Sequence, residues 1–149
     1  MAAPPPNPDF ARDVSDSFAR QGLMTLLGAR LSRVEHGLVE IEFAARPDLT
    51  QQDGFIHAGV LAATADSAGG YAALSAQPAA TAVLTAEFKL HFLRPARGDG
   101  FRARGRVIRS GRTLSTCEIS VEALAPEGPV LCAWGSQSVA CRPIGAPAP

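Results

Sequence analysis

The run Gln51-Gln52-Asp53-Gly54-Phe55-Ile56-His57-Ala58-Gly59-Val60-Leu61-Ala62-Ala63-Thr64-Ala65-Asp66 decides how this chain is read. It sets a turn at Gly54, then a histidine and two small residues, ahead of a helix that carries one carboxylate. From Val60 to Leu74 the side chains are almost wholly small or apolar, and Asp66 is the only ionisable one besides Tyr71. A carboxylate is seldom buried among alanines unless something compensates it. The run therefore reads as an active site, on a helix predicted over residues 58 to 76 and stopped before Pro78. Its alanines make the helix thin. Because Gly costs roughly 1 kcal/mol against Ala in a helix interior, the adjacent Gly69 and Gly70 point to close backbone packing rather than to helix propensity.

Outward from this helix the pattern changes from helical to alternating. Before it, Phe10 to Leu27 is amphipathic, with Asp13, Ser15 or Asp16 as candidate caps and a break near Gly22. Residues 29 to 35 and 38 to 45 then form a hairpin about His36-Gly37, with Val39, Ile41 and Phe43 alternating with Glu40 and Glu42. After it come four strand-like runs, 82 to 92, 100 to 109, 113 to 124 and 130 to 141, punctuated by Ser110-Gly111 and Pro126-Glu127-Gly128. This order predicts an α+β fold, an antiparallel sheet of five to six strands wrapped around one long central helix.

A chain of 149 residues suits one domain with a continuous core. Prolines crowd both ends (Pro4, Pro5, Pro6, Pro8, Pro143, Pro147, Pro149), so residues 1 to 10 and 144 to 149 read as flexible tails around a domain at 11 to 143. No apolar run approaches the roughly 18 residues needed to cross a bilayer, and no basic-then-apolar leader opens the chain. The expectation is a cytoplasmic protein that does not engage a membrane. Cys117, Cys132 and Cys141 form no CxxC pair, so buried, reduced thiols are expected. With His36, His57 and His91 scattered, no metal site is indicated.

Formal net charge is zero, yet Arg94, Arg97, Arg102, Arg104, Arg106, Arg109 and Arg112 face only Asp99 across residues 94 to 112. On a strand, Arg102, Arg104 and Arg106 share one face. A solvated outer face accounts for them, and an anion contact is the sharper alternative. Nucleic acid is a poor match, because the chain is not basic overall and no aromatic residues interleave with these arginines.

Gly54-x-x-His57-Ala58-Gly59 followed by Asp66, together with Thr85-Ala86-Glu87-Phe88-Lys89-Leu90-His91-Phe92-Leu93-Arg94-Pro95-Ala96 and then Gly98, resembles the hotdog-fold thioesterases of the phenylacetic-acid-degradation, 4-hydroxybenzoyl-CoA thioesterase-like type. The likeness spans most of the chain. It implies that Asp66, nine positions after His57, is the catalytic base or nucleophile toward a thioester carbonyl. It implies further that His57 shapes the turn, and that the Ala58 backbone N–H, with Gly59 beside it, polarises the thioester oxygen. Gln51 stands where the family commonly has Asn, and Thr85 corresponds to a small hydroxyl residue near the acid. Ala58 replaces the first glycine of the usual His-Gly-Gly, and it retains the main-chain donor provided its φ stays negative.

Helix geometry adds a constraint of its own. Nine residues at about 100° each place Asp66 half a turn round from His57 and about 13 Å along the axis. If both serve one reaction, the site must be composite, built across a two-fold dimer interface; a dimer of dimers is a further step. The resulting expectation is an acyl-CoA thioesterase that releases free CoA and a carboxylic acid, with no cofactor beyond its CoA thioester substrate. Gly54 and Tyr71 would line the substrate site, and Arg94, Arg102 and Arg104 would meet CoA phosphates. A non-catalytic acyl-CoA-binding module and a hotdog dehydratase or hydratase of 3-hydroxyacyl thioesters are the alternatives.

Overall fold

The computed structural model describes residues 5–145. Two short helices, α1 (Phe10–Ala19) and α2 (Gly22–Leu27), lead into the hairpin β1 (Arg30–Glu35) and β2 (Leu38–Ala44). A single 3-10 turn, Pro47–Leu49, precedes the long helix α3 (Ala58–Ser75). The chain then runs through β3 (Thr81–Phe92), β4 (Gly100–Arg109), β5 (Leu114–Ala125) and β6 (Gly128–Pro143). All six strands form one antiparallel sheet in the order β1-β2-β4-β5-β6-β3. With α3 packed on one face, this is the α+β hotdog arrangement expected from the sequence.

The sheet side of α3 is made by Leu61, Ala65, Ala68 and Ala72, which pack with Ile41, Phe101, Ala103, Ile119 and Val121 into the main core. The thinness of the helix matters most at Gly105 of β4. A Cβ there would lie 2.3 Å from the backbone carbon and oxygen of Ala68. Helix and sheet are therefore in backbone contact, which only glycine on the strand permits.

Strand β3 contains an irregularity that matters for the site. Thr85 pairs with Val139, but the register shifts before Glu87, which pairs with Ser138. Val83 and Thr85 thus share a face with Phe88 and Leu90, whereas an unbroken alternation would turn the Glu87 carboxylate inward. Ala86 absorbs the extra residue as a bulge, a device common beside active sites. The change of phase between Thr85 and Phe88 is visible in the sequence once a bulge is considered.

The N-terminal boundary differs from expectation. Asn7 is buried, ahead of the anticipated start at residue 11; its Oδ1 accepts from Asp9 N at 3.0 Å and its Nδ2 donates to Asp13 Oδ2 at 2.9 Å. Asp9 is the N-cap of α1 and makes no side-chain cap bond, so Asp13, Ser15 and Asp16 lie inside the helix instead of capping it. The break falls at Arg20-Gln21, between α1 and α2, and Gly28 closes α2 in the left-handed region at φ 66°. Pro4, Pro147 and Pro149 lie outside the described residues. The three cysteines are buried and free, and no helix among the described residues is long and apolar enough to cross a membrane.

Candidate active site

The turn before α3 is held by its own side chains. Gln51 Oε1 accepts from Asp53 N at 2.6 Å and from Phe55 N at 3.2 Å, and Gly54 takes φ 82°, which favours glycine. Ile56 N donates to Ala96 O at 3.1 Å, tying the Phe92-to-Ala96 motif to the turn within one protomer. His57 is the N-cap of α3, and its Nδ1 accepts from Gly59 N at 2.8 Å. This corrects one expectation. The Gly59 N–H is occupied by His57, which leaves the exposed Ala58 N–H, bonded to nothing among the described residues, as the available donor. Ala58 begins the helix without a positive φ, so replacing glycine there does not misdirect that N–H.

Asp66 lies eight residues further along α3, about 12 Å from Ala58 at 1.5 Å per residue, so one protomer does not bring the two together. Its half-buried carboxylate is nevertheless organised. Thr85 Oγ1 donates to Oδ1 at 2.6 Å, and Gln137 Nε2 donates to the same oxygen at 2.7 Å. Oδ2 makes no hydrogen bond among the described residues. The sequence placed Thr85 near the acid and missed Gln137. Its signal was present: on β6 the buried residues Ala133, Gly135, Gln137, Val139 and Cys141 alternate with outward ones, and Gln137 is the one amide in that series.

Asp66 borders a groove of about 740 Å³ between α1, α3 and the start of β3, which Thr85, Ser67 and Tyr71 also line. The volume is in the range of small-molecule sites. Tyr71 is buried, with its ring edge-on to Phe18 at 5.8 Å. Its hydroxyl accepts from Gln21 Nε2 at 3.2 Å and lies 3.4 Å from Ser17 Oγ, while Ser67 Oγ donates to Gln21 Oε1 at 3.0 Å. Neither Ser17, Gln21 nor Ser67 stood out in the sequence, because this polar chain exists only where α1 is laid against α3.

The arginine face forms as expected, but its charges are already matched. Arg102 donates to Glu42 at 2.8 Å and Arg104 to Glu40 at 2.7 Å, across the β2–β4 register that sets Arg102 opposite Glu42 and Arg104 opposite Glu40. The bond to Glu42 raises the Arg102 pKa further. Arg102 and Arg104 are thus structural partners of half-buried and buried carboxylates. Arg94 differs. Its Nη1 donates to Leu131 O at 3.0 Å, and no carboxylate among the described residues pairs with it. Arg97 stacks over the Phe55 ring at 4.5 Å, beside the turn before α3.

Comparison with known proteins supplies the family context. Residues 53–129 match the model of the thioesterase superfamily. A Halobacterium salinarum protein named "Putative esterase" is 36% identical over 118 residues, covering 76% of this chain and 78% of the relative. One of the same name from Saccharolobus solfataricus is 30% identical over 108 residues, covering 72% and 71%. Among solved structures, a thioesterase family protein from Silicibacter pomeroyi is 40% identical with a TM-score of 0.87, covering 90% of this chain and 98% of that one. The PaaI protein from the phenylacetic acid degradation operon of E. coli superposes with a TM-score of 0.80 over 93% of this chain and 96% of its own, but at 18% identity it speaks to the fold alone.

Proposed function

The chain belongs to the thioesterase superfamily, and from that premise we propose that it hydrolyses acyl-CoA thioesters with Asp66 as general base or nucleophile. The observation that carries this reading is the state of that carboxylate. One oxygen is fixed by two donors, the other is unbonded among the described residues, and both belong to a residue on the wall of a substrate-sized groove. Such an oxygen either takes a proton from water as that water adds to the thioester carbonyl, or adds to the carbonyl itself to give an anhydride that water opens. In both routes the C–S bond breaks and the departing sulfur receives a proton. The Ala58 N–H, at the positive end of α3, is the donor for the carbonyl oxygen as it gains charge.

Because these two halves lie about 12 Å apart on one helix, the reaction requires a second copy whose α3 N-terminus meets Asp66. Two features favour that assembly. Strand β3 is a sheet edge twelve residues long, bonded on one side only to β6, with Leu84, Phe88 and Phe92 exposed. On α3, Ala62, Asp66 and Gly70, at successive i+4 positions, form a half-buried stripe outside the main core. Arg94 and Arg97, which follow β3, are the candidate contacts for CoA phosphates.

The test is thiol release from phenylacetyl-, hydroxybenzoyl-, short-, medium- and long-chain acyl-CoAs by wild type and Asp66→Ala, with sedimentation to give the oligomer. Turnover that disappears in a folded Asp66→Ala dimer is the expected result. Tight acyl-CoA binding without release by wild type, or full turnover in Asp66→Ala, overturns the proposal.

A further inference from the structure

We infer that Gln137 is a positioning residue for the proposed hydrolysis: its amide pins Asp66 Oδ1 so that Oδ2 alone is presented to the substrate. The inference rests on Asp66 being the reacting group, and it is carried by the hydrogen-bond arrangement around a side chain that is only 1% exposed.

Gln137 Nε2 has two hydrogens and three acceptors within reach: Asp66 Oδ1 at 2.7 Å, Thr85 Oγ1 at 2.8 Å and the Asp66 carbonyl oxygen at 3.1 Å. Thr85 Oγ1 spends its own hydrogen on Oδ1 at 2.6 Å. The three side chains form a closed triangle from α3, β3 and β6, and the β3 bulge turns Thr85 into it. A carboxylate held by two donors on one oxygen cannot rotate about its Cβ–Cγ bond without losing both. Oδ2 therefore keeps one direction, which is the condition for a reacting group to work at its full rate.

The other end of the same amide argues that this is its purpose. Gln137 Oε1 is buried and has no hydrogen-bond partner among the described residues, a costly state for a carbonyl. Turning the amide over would relieve nothing, since Oε1 would then face the Asp66 carboxylate and carbonyl oxygens. Space for the orphaned oxygen comes from Gly69, where a Cβ would lie 1.8 Å from Oε1. An apolar side chain of the same length would fill this place without the unsatisfied group. Its inward neighbours on β6, Ala133, Val139 and Cys141, are apolar. The site thus keeps an amide whose donors serve Asp66 at the expense of its acceptor, a trade found where function and stability pull apart.

The experiment compares wild type, Gln137→Met and Asp66→Ala on the best acyl-CoA from the panel, with thermal unfolding of each. Methionine matches glutamine in length and offers no donor. The expected result is a kcat lower by about 10- to 100-fold with KM within twofold, at a little-changed Tm, because the bonds lost to Asp66 and Thr85 are offset by removal of the unpartnered carbonyl. If Gln137→Met keeps wild-type kcat while Asp66→Ala is inactive, this inference is overturned and the thioesterase reading stands. Full turnover in Asp66→Ala overturns both. A parallel fall in kcat and Tm overturns it too, since that marks a merely structural role. Should Gln137→Met fail to fold, Gln137→Asn withdraws the amide by one methylene and keeps its polarity; it must show the same loss of kcat, and wild-type kcat in that variant overturns the inference.

Discussion

Gly69 and Gly70 are adjacent on α3, and replacing each by alanine should move stability in opposite directions. Intrinsic preference is the same for both, a gain of about 1 kcal/mol for Ala over Gly in a helix interior. At Gly70 a Cβ meets nothing within 4 Å among the described residues of the protomer, so Gly70→Ala should be neutral or stabilising by up to that amount. At Gly69 the same Cβ would lie 1.8 Å from Gln137 Oε1, 3.0 Å from its Cδ and 2.7 Å from Ile119 Cγ2. Ile119 and Gln137 are both buried, and the glutamine amide, as the nearer contact, must shift most. Overpacking costs about 1–3 kcal/mol, and a hydrogen bond to a charged group lost with the amide costs about 1.5–3 kcal/mol. Set against the propensity gain of about 1 kcal/mol, the net is a loss of roughly 1.5–5 kcal/mol. At about 2–4 °C per kcal/mol for a domain of this size, a loss near 3 kcal/mol lowers Tm by roughly 6–12 °C. Thermal unfolding of the two variants at one protein concentration measures this, and turnover in Gly69→Ala should fall with the displaced amide. Equal Tm values for the two variants, or a Gly69→Ala protein more stable than wild type, would refute this account of the α3 contact.

Two other outcomes follow from groups away from the reaction. Burial pushes the Cys117 thiol up to about 12, and burial likewise raises Cys132, with smaller opposing contributions. A thiol with a raised folded-state pKa contributes stability that is complete below its unfolded value of about 8.5 and is lost as pH climbs toward the folded value. Chemical denaturation should therefore show stability declining from pH 9 upward. Native protein should consume little chromogenic thiol reagent at pH 8, whereas urea-unfolded protein reacts at all three cysteines; rapid native labelling would contradict the buried placement. Arg104→Ala removes the 2.7 Å partner of Glu40, a buried carboxylate, and should lower Tm while leaving KM for acyl-CoA unchanged. A KM raised for acyl-CoA but not for a pantetheine thioester would mark Arg104 as a phosphate contact.

Much of the fold was legible because its signals are local. Alternation in 38 to 45, the small-residue run after His57 and the turn glycines each depend on neighbours in sequence, and the observed elements end within a few residues of the expected ends. The start of the domain was less legible: Asn7 becomes part of the fold through its bonds to Asp9 and Asp13, and proline content masked it. Asp66 was legible because an acid among alanines is anomalous wherever the helix lies. His57 was visible as a turn residue, but its occupation of the Gly59 N–H is a matter of rotamer and distance.

The sequence by itself determined the strands, the long thin helix, the anomalous carboxylate and, through helical rise, the separation of Asp66 from the α3 N-terminus. Tertiary structure alone decided which partners those residues have. Gln137 reaches Asp66 from 71 positions away, Gln21 reaches Tyr71 from 50, and Arg104 is neutralised by Glu40 from 64. The physical reason is that periodicity and propensity act over one or two turns of chain. A hydrogen bond across the sheet depends instead on strand order, on a one-residue bulge and on the absence of a side chain at Gly69.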